Sequence, residues 1–251
     1  MTTLLIGKTG QVARATQEIW GNDHLVVAGR DLINLESEDS ITSTLLKIKP
    51  KIIINAAAYT NVEKAEEESG QAFRINSEAL KVIGEIARDL DALVVHYSID
   101  YVFDGKSLGF YVETDSMNPL NLYGKSKMEG EFNLINSGSK HLIFRTSWVY
   151  GEGGNFIRTI LRLAKERQTL KVIADQYGVP SSARWLAEVS LALVLDKNNQ
   201  IRQFSSGIYH AVPSGETTWH ALACHAVKAA LDAGAALQLS PDAIEAIPAM
   251  E

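Results

Sequence analysis

The chain has 251 residues, of which 46% are hydrophobic and 22% charged, and a net charge of −6. That length can bury a full core, as one domain or one domain with a small lobe. The acidic balance argues against a nucleic-acid or anionic-membrane surface, and no apolar run approaches the ~18–20 residues of a membrane span. A single cysteine, Cys224, leaves no partner for an internal disulfide and fits a reducing cytoplasm. Its flanks, Leu222-Ala223 and Ala226-Val227, read as a buried helix position and not a nucleophile's. The first strand starts within three residues of Met1, which leaves no room for a signal peptide.

In chain order, Leu4-Leu5-Ile6, Leu25-Val26-Val27-Ala28, Ile52-Ile53-Ile54 and Leu93-Val94-Val95 are short, apolar and unalternating, as strands covered on both faces are. Leu142-Ile143-Phe144 is a fifth, and Leu170-Lys171-Val172-Ile173 is read as a sixth. Helical patterns over 41–48, 77–90 and 123–135 lie between them. The alternation predicts an α/β fold, a doubly wound parallel sheet with its site at the carboxyl ends of the strands. Past Trp148 the pattern loosens into helices over 156–166, 185–195 and 219–231, with Ile208-Tyr209-His210 a short strand among them. The expected division is a dinucleotide-binding Rossmann domain over 1–150 and a small, partly incomplete substrate lobe over 151–251, interleaved with the sheet.

The first strand runs into Gly7-Lys8-Thr9-Gly10-Gln11-Val12-Ala13. The glycines permit a tight turn, and the helix N-terminus that follows offers N–H groups and a positive dipole end to a pyrophosphate. The second strand ends at Gly29-Arg30, where an arginine can meet a 2′-phosphate; this leans toward NADPH, and Asp31 keeps NADH open. The third delivers Asn55-Ala56-Ala57-Ala58-Tyr59-Thr60, whose three alanines leave room for a flat ring. The acidic run from Glu63 to Glu68 reads as a solvated helix face without metal-ligand spacing. The fourth strand ends in His96-Tyr97-Ser98-Ile99-Asp100, polar residues that a buried strand carries only with partners. Tyr123 and Lys127, four apart on a helix, share one face. A phenol of pKa near 10 becomes a usable proton donor to a developing alkoxide where a neighbouring cation favours the phenolate. Trp148 follows the fifth strand, where an indole either stacks on a ring or covers the core.

Together these segments resemble the dTDP-4-dehydrorhamnose reductase family of extended short-chain dehydrogenase/reductases. The likeness is carried by residues 55–60, 100–105, 119–127 with Gly130-Glu131, and 144–151. It implies that Gly7, Gly10, Gln11 and Val12 bind the pyrophosphate, that Asn34 and Leu35 lie by the adenosine, and that Ala58, Tyr59, Thr60 and Tyr97 line the cofactor cleft. It implies Asp100 and Trp148 for the sugar, Tyr123 as proton donor, and Lys127 as the group that holds the nicotinamide ribose and lowers the tyrosine pKa. The reaction implied is reduction of dTDP-4-dehydro-L-rhamnose to dTDP-L-rhamnose by NADPH or NADH in the cytoplasm, with a homodimer left open.

Departures from the family pattern qualify that expectation. Ile99 stands where the family has a threonine that bonds the substrate oxygen, which leaves Ser98 as the candidate hydroxyl, although adjacent strand residues point to opposite faces. Family members continue past the position of Glu251 with a segment that helps close the substrate lobe, so the nucleotide part of the substrate is expected to be held less well. Ala13 replaces a third glycine. Ala15 stands where some relatives carry a metal-binding glutamate, so no metal is expected. A non-catalytic, cofactor-binding regulatory relative and a reductase of another nucleotide sugar are the competing readings. An epimerase would need further acid–base groups around the sugar, which the sequence does not supply.

Overall fold

The computed structural model describes residues 1–21, 24–107 and 109–249. They divide into two compact units: Met1–Thr146 with Arg184–Ala211, and Ser147–Ala183 with Val212–Glu251. The expected boundary at residue 150 thus falls four residues earlier, and the later half of the chain is cut by a return to the first unit.

The first unit is built on strands β1 (Thr3–Ile6), β2 (Leu25–Ala28), β3 (Ile52–Asn55), β4 (Leu93–Ile99) and β5 (Lys140–Thr146), with Gly207–His210 as an edge strand. The spatial order is Gly207–His210, β5, β4, β3, β1, β2, every pairing parallel. Parallel pairing requires crossovers, supplied by α1 (Gln11–Trp20), α2 (Glu38–Ile48), α3 (Ser69–Phe73), α4 (Ala79–Asp89) and α5 (Leu122–Asn136). The core is where these helices meet the sheet: Leu4, Ile6, Ile41, Leu45, Ile53, Leu80, Ile83, Val94, Leu134 and Ile143 are sealed from solvent. Each such large side chain contributes roughly 1.5–3 kcal/mol relative to exposure. Local signals agree with the packing: Ser37 caps α2 by accepting from the Ser40 N–H, and Asn121 caps α5 by accepting from the Gly124 N–H at 2.7 Å.

The sixth strand of this sheet is Gly207–His210, whereas 170–173 was expected there. Ile208 lies opposite Ile143. Leu170–Ile173 pairs instead with Ile244–Ile247 in the second unit. Its side chains alternate between buried and exposed, the signature of a strand covered on one face only. The helix expected over 77–90 is also longer and interrupted, with α3 and α4 joined through a π-helical turn, Arg74–Glu78.

In the second unit α6 (Phe156–Glu166) and α8 (Trp219–Asp232) close over the Leu170–Ile173/Ile244–Ile247 pair, around Ile160, Ala164, Leu170, Val172, Ala223, Val227, Leu239 and Ile244. Cys224 is half-buried against this cluster, and burial raises its thiol pKa, which disfavours the thiolate.

Candidate active site

The carboxyl ends of β1, β3 and β4 carry the residues singled out in the sequence. After β1, Gly7 takes φ = +112°, and a Cβ there would press on the Ala56 and Ala57 backbone at 3.3 Å. Only glycine meets both conditions without strain. Gly10 is the N-cap of α1 and brings no side-chain cap to the first-turn amides of Gln11 and Val12. Ala13, at the place of a third glycine, is fully buried where helix meets sheet. Beyond β2, Arg30 is exposed and holds no ion pair among the described residues. Asn34 builds the next turn, its Oδ1 accepting from the Glu36 N–H at 3.1 Å, and Leu35 packs on the core. This cradle fits a dinucleotide: a backbone-only approach at the turn, a helix N-terminus whose N-cap is a glycine, and a cation beyond the second strand.

After β3, Ala58 and Tyr59 are half-exposed and Thr60 is exposed. Asn76 clasps this segment, accepting from the Tyr59 N–H at 2.9 Å and donating to its carbonyl at 3.0 Å. The same amide donates to Ser126 on α5, and Ser126 in turn donates to the Tyr123 carbonyl at 2.7 Å. Asn76 sits in the π-helical turn, the local irregularity that aims its buried side chain. The sequence pattern held no sign of it. The Tyr59 hydroxyl donates to Glu68 at 2.6 Å, which raises its pKa to about 12.

Tyr123 and Lys127 lie in the first two turns of α5, and both side chains are buried. Tyr123 packs with Ala65, Ala72, Tyr59, Val62, Ile99 and Tyr101, meeting the Tyr101 ring edge-on at 6.1 Å between centroids. The helix approaches so closely that a Cβ on Gly124 would lie 2.2 Å from the Tyr101 carbonyl oxygen. Burial raises the Tyr123 pKa, and the Asp100 carboxylate and Tyr101 raise it further. The expectation that Lys127 lowers it is therefore not met here. The lysine is turned to β4, donating to the Tyr97 carbonyl at 2.7 Å and standing 3.1 Å from His96 Nε2. Burial brings its own pKa down to about 8, with Glu131 acting in the opposite direction.

Two further expectations are corrected. Ser98 does not stand in for the missing threonine, because its hydroxyl donates to the Glu131 carboxylate, within a buried ion pair that Arg145 completes at 2.7 Å. The Tyr97 phenol does not face a cleft. It sits in the core at 2.7 Å from the Ser190 hydroxyl of α7 (Ala183–Val194), and burial raises it to about 12. What Tyr97 offers the site is its backbone carbonyl. Pleat alternation explains the split: His96 and Ser98 face α5, while Tyr97 faces the other side of the sheet. Ile99 packs on the Tyr123 cluster, and Asp100 has a buried, unpartnered Oδ1 and a pKa raised by burial to about 7. Trp148 belongs to the second unit, where φ = +42° and its ring stacks on Trp219 at 3.6 Å. Among the described residues no group of three His, Cys, Asp or Glu could hold a metal ion.

A family model described as the RmlD substrate binding domain matches residues 1–250. The dTDP-4-dehydrorhamnose reductase of Salmonella typhimurium is 42% identical over 254 residues, spanning 99% of this chain and 84% of that protein. The chain belongs to the dTDP-4-dehydrorhamnose reductase family. The spore coat polysaccharide biosynthesis protein SpsK of Bacillus subtilis is 35% identical over 200 residues, covering 79% of this chain and 68% of its own length. Among solved structures, the Bacillus anthracis dTDP-4-dehydrorhamnose reductase in complex with NADP superposes with a TM-score of 0.87 at 29% identity, covering 99% of this chain and 85% of that one. The Thermus thermophilus UDP-glucose 4-epimerase complex with NAD, at 17% identity and a TM-score of 0.77, shares the fold.

Proposed function

We propose that this chain reduces the 4-keto group of dTDP-4-dehydro-L-rhamnose to give dTDP-L-rhamnose, with NADPH as the preferred reductant. The observation that carries this reading is the juxtaposition in the first unit of Tyr123, Lys127 and Asp100, beside a glycine turn and helix N-terminus suited to a pyrophosphate. The cofactor supplies the hydride when bound. Tyr123 gives its proton to the C4 oxygen. Lys127, held at the Tyr97 carbonyl, is the cation within reach of the nicotinamide ribose, and Arg30 meets the 2′-phosphate. Trp148 is assigned to the sugar by the family resemblance alone. Reduction of a nucleotide sugar by NADPH fits a cytoplasmic enzyme, and that location is part of the proposal.

The test is NADPH oxidation on addition of dTDP-4-dehydro-L-rhamnose, with Tyr123→Phe as control. Removal of a general acid is expected to lower kcat by about 10²–10⁴-fold, with NADPH binding retained. A wild-type protein that binds NADPH yet leaves it unoxidised at high enzyme concentration would overturn the reading in favour of a non-catalytic relative.

A further inference from the structure

Below Tyr123 lies a row of three buried side chains: Asn55 at the end of β3, His96 on β4 and Lys127 on α5. Asn55 Nδ2 stands 3.3 Å from His96 Nδ1, and His96 Nε2 stands 3.1 Å from Lys127 Nζ. Hydrogen-bond accounting along this row leaves one consistent assignment. The Asn55 carbonyl oxygen accepts from the Ala57 N–H at 3.3 Å, so its NH₂ is the group that points at the imidazole. A flipped amide would set donor against donor at Ala57. The amide therefore donates to Nδ1, which must carry a lone pair. A neutral imidazole has one N–H, and it then resides on Nε2, directed at the lysine.

An ammonium has three N–H groups and nothing to accept with. If Lys127 were permanently charged, one of the two contacts of His96 would be a buried donor–donor clash. A neutral amine resolves both, since it accepts from Nε2–H and donates to the Tyr97 carbonyl, at 2.7 Å. A doubly protonated His96 would worsen the clash, and burial together with the lysine holds its pKa well below the usual value. The titratable or charged groups that come inward around Lys127 are Tyr97 and Asp100 from β4 and its following turn, Tyr123 and Glu131 on its own helix, and Arg145 from β5. Arg74, Glu78, Lys125, Glu129 and Lys140 on the same elements are exposed, and His141 of β5 bonds to the Ser139 carbonyl. Glu131 favours the ammonium, but Arg145 engages both of its oxygens and so offsets that pull. Asn76 and Ser77, from the π-helical turn, are uncharged.

We propose that Asn55 and His96 are positioning residues that set the protonation of Lys127, destabilising its ammonium in the cofactor-free protein so that it exchanges a proton close to neutral pH instead of staying permanently charged. The imidazole does not pass a proton along the row, because the Asn55 amide at Nδ1 is no proton source. It acts as a fixed N–H dipole that disfavours the ammonium. Lys127 takes a proton from solvent as bound ligands bring acceptors that favour its ammonium, and passes it to the Tyr123 phenolate left by each transfer, which returns the lysine to the amine. This deepens the reductase reading and rests on it for the last step.

The test uses the cofactor-free protein, so its outcome is separate from that of any turnover assay. Histidine ¹⁵N spectra report the tautomer of His96, assigned by loss of its signals in His96→Gln. Lysine ¹³Cε shifts report the midpoint of Lys127. The expected wild-type result is the Nε2–H tautomer and a Lys127 midpoint well below those of the surface lysines. Asn55→Asp makes position 55 an acceptor, moves the histidine proton to Nδ1 and turns Nε2 into an acceptor for the ammonium. The Lys127 midpoint should then rise by about one unit or more. A wild-type Nδ1–H tautomer, or a midpoint unmoved in Asn55→Asp alongside a changed tautomer, overturns the proposal. Should Asn55→Asp not fold, the wild-type tautomer decides alone.

Discussion

The Glu131 carboxylate receives the Arg145 guanidinium at both oxygens, Nε and Nη2 lying 2.7–3.2 Å away, with the two side chains almost fully sealed from solvent. Such a pair is a weak source of net stability, yet losing one partner strands a charge. Arg145→Met is therefore expected to destabilise the protein by about 3–5 kcal/mol, and Glu131→Leu/Arg145→Met together by less than Arg145→Met alone. Urea unfolding of the two single variants and the double variant checks this. A loss in the double variant equal to the sum of the losses in Glu131→Leu and Arg145→Met would show that the pair is not coupled.

Gly124 sets how closely the tyrosine-bearing helix approaches the turn after β4. With 2.2 Å available between an added Cβ and the Tyr101 oxygen, Gly124→Ala must push backbone from backbone. We expect a loss of about 1–3 kcal/mol from overpacking and a kcat loss of about 10–100-fold from misplacement of Tyr123. Unchanged kcat would separate this contact from catalysis.

Ile99 packs in the apolar cluster of Tyr123, where the family carries a hydroxyl. Ile99→Thr returns a donor to that place. A rate gain of about tenfold or more is expected, below the ~10²–10³ that a full oxyanion donor supplies. No gain, with Tyr123→Phe still inactive, would mean that the site does not use this position.

Arg30 is exposed beyond β2. Arg30→Ala should weaken NADPH binding by roughly 1–3 kcal/mol, the scale of a charge-assisted hydrogen bond, and leave NADH binding nearly unchanged. Isothermal titration with the two cofactors tests this directly, and equal losses for both would remove the 2′-phosphate assignment.

Asp100 titrates near 7 in the folded chain against 3.8 unfolded, because burial penalises its charge. Between those values the native state holds the extra proton, so this group lowers stability as pH rises from about 4 to about 7. The full effect is on the order of 2–4 kcal/mol. Asp100→Asn should flatten the fall in melting temperature across that window. An unchanged profile would show that the carboxyl is hydrated.

The glycine turn, the five parallel strands and the Tyr123/Lys127 face were legible because each rests on local periodicity or spacing. The sixth strand was not: 170–173 and 208–210 are equally short and apolar, and only pairing distinguishes them. In the site, the polar run from His96 to Asp100 announced that partners were needed without naming them. Asn55, Glu131 and Arg145 lie far away in sequence, and the fold alone brings them to that strand. The π-helical turn that aims Asn76 has no compositional sign. Ile99 was visible from the sequence, whereas the diversion of Ser98 to Glu131 required the side-chain geometry.

The edge strand Gly207–His210 also bears on how the protein is made. During synthesis β5 leaves the ribosome about 60 residues before the segment that covers its open edge. At ~5–20 residues per second that interval lasts roughly 3–12 s. Throughout it the apolar backbone ribbon from Leu142 to Phe144 offers unpaired amides and carbonyls to any neighbouring chain. Nascent chains crowded on one messenger are thus open to cross-pairing at this edge until Gly207–His210 arrives to close it.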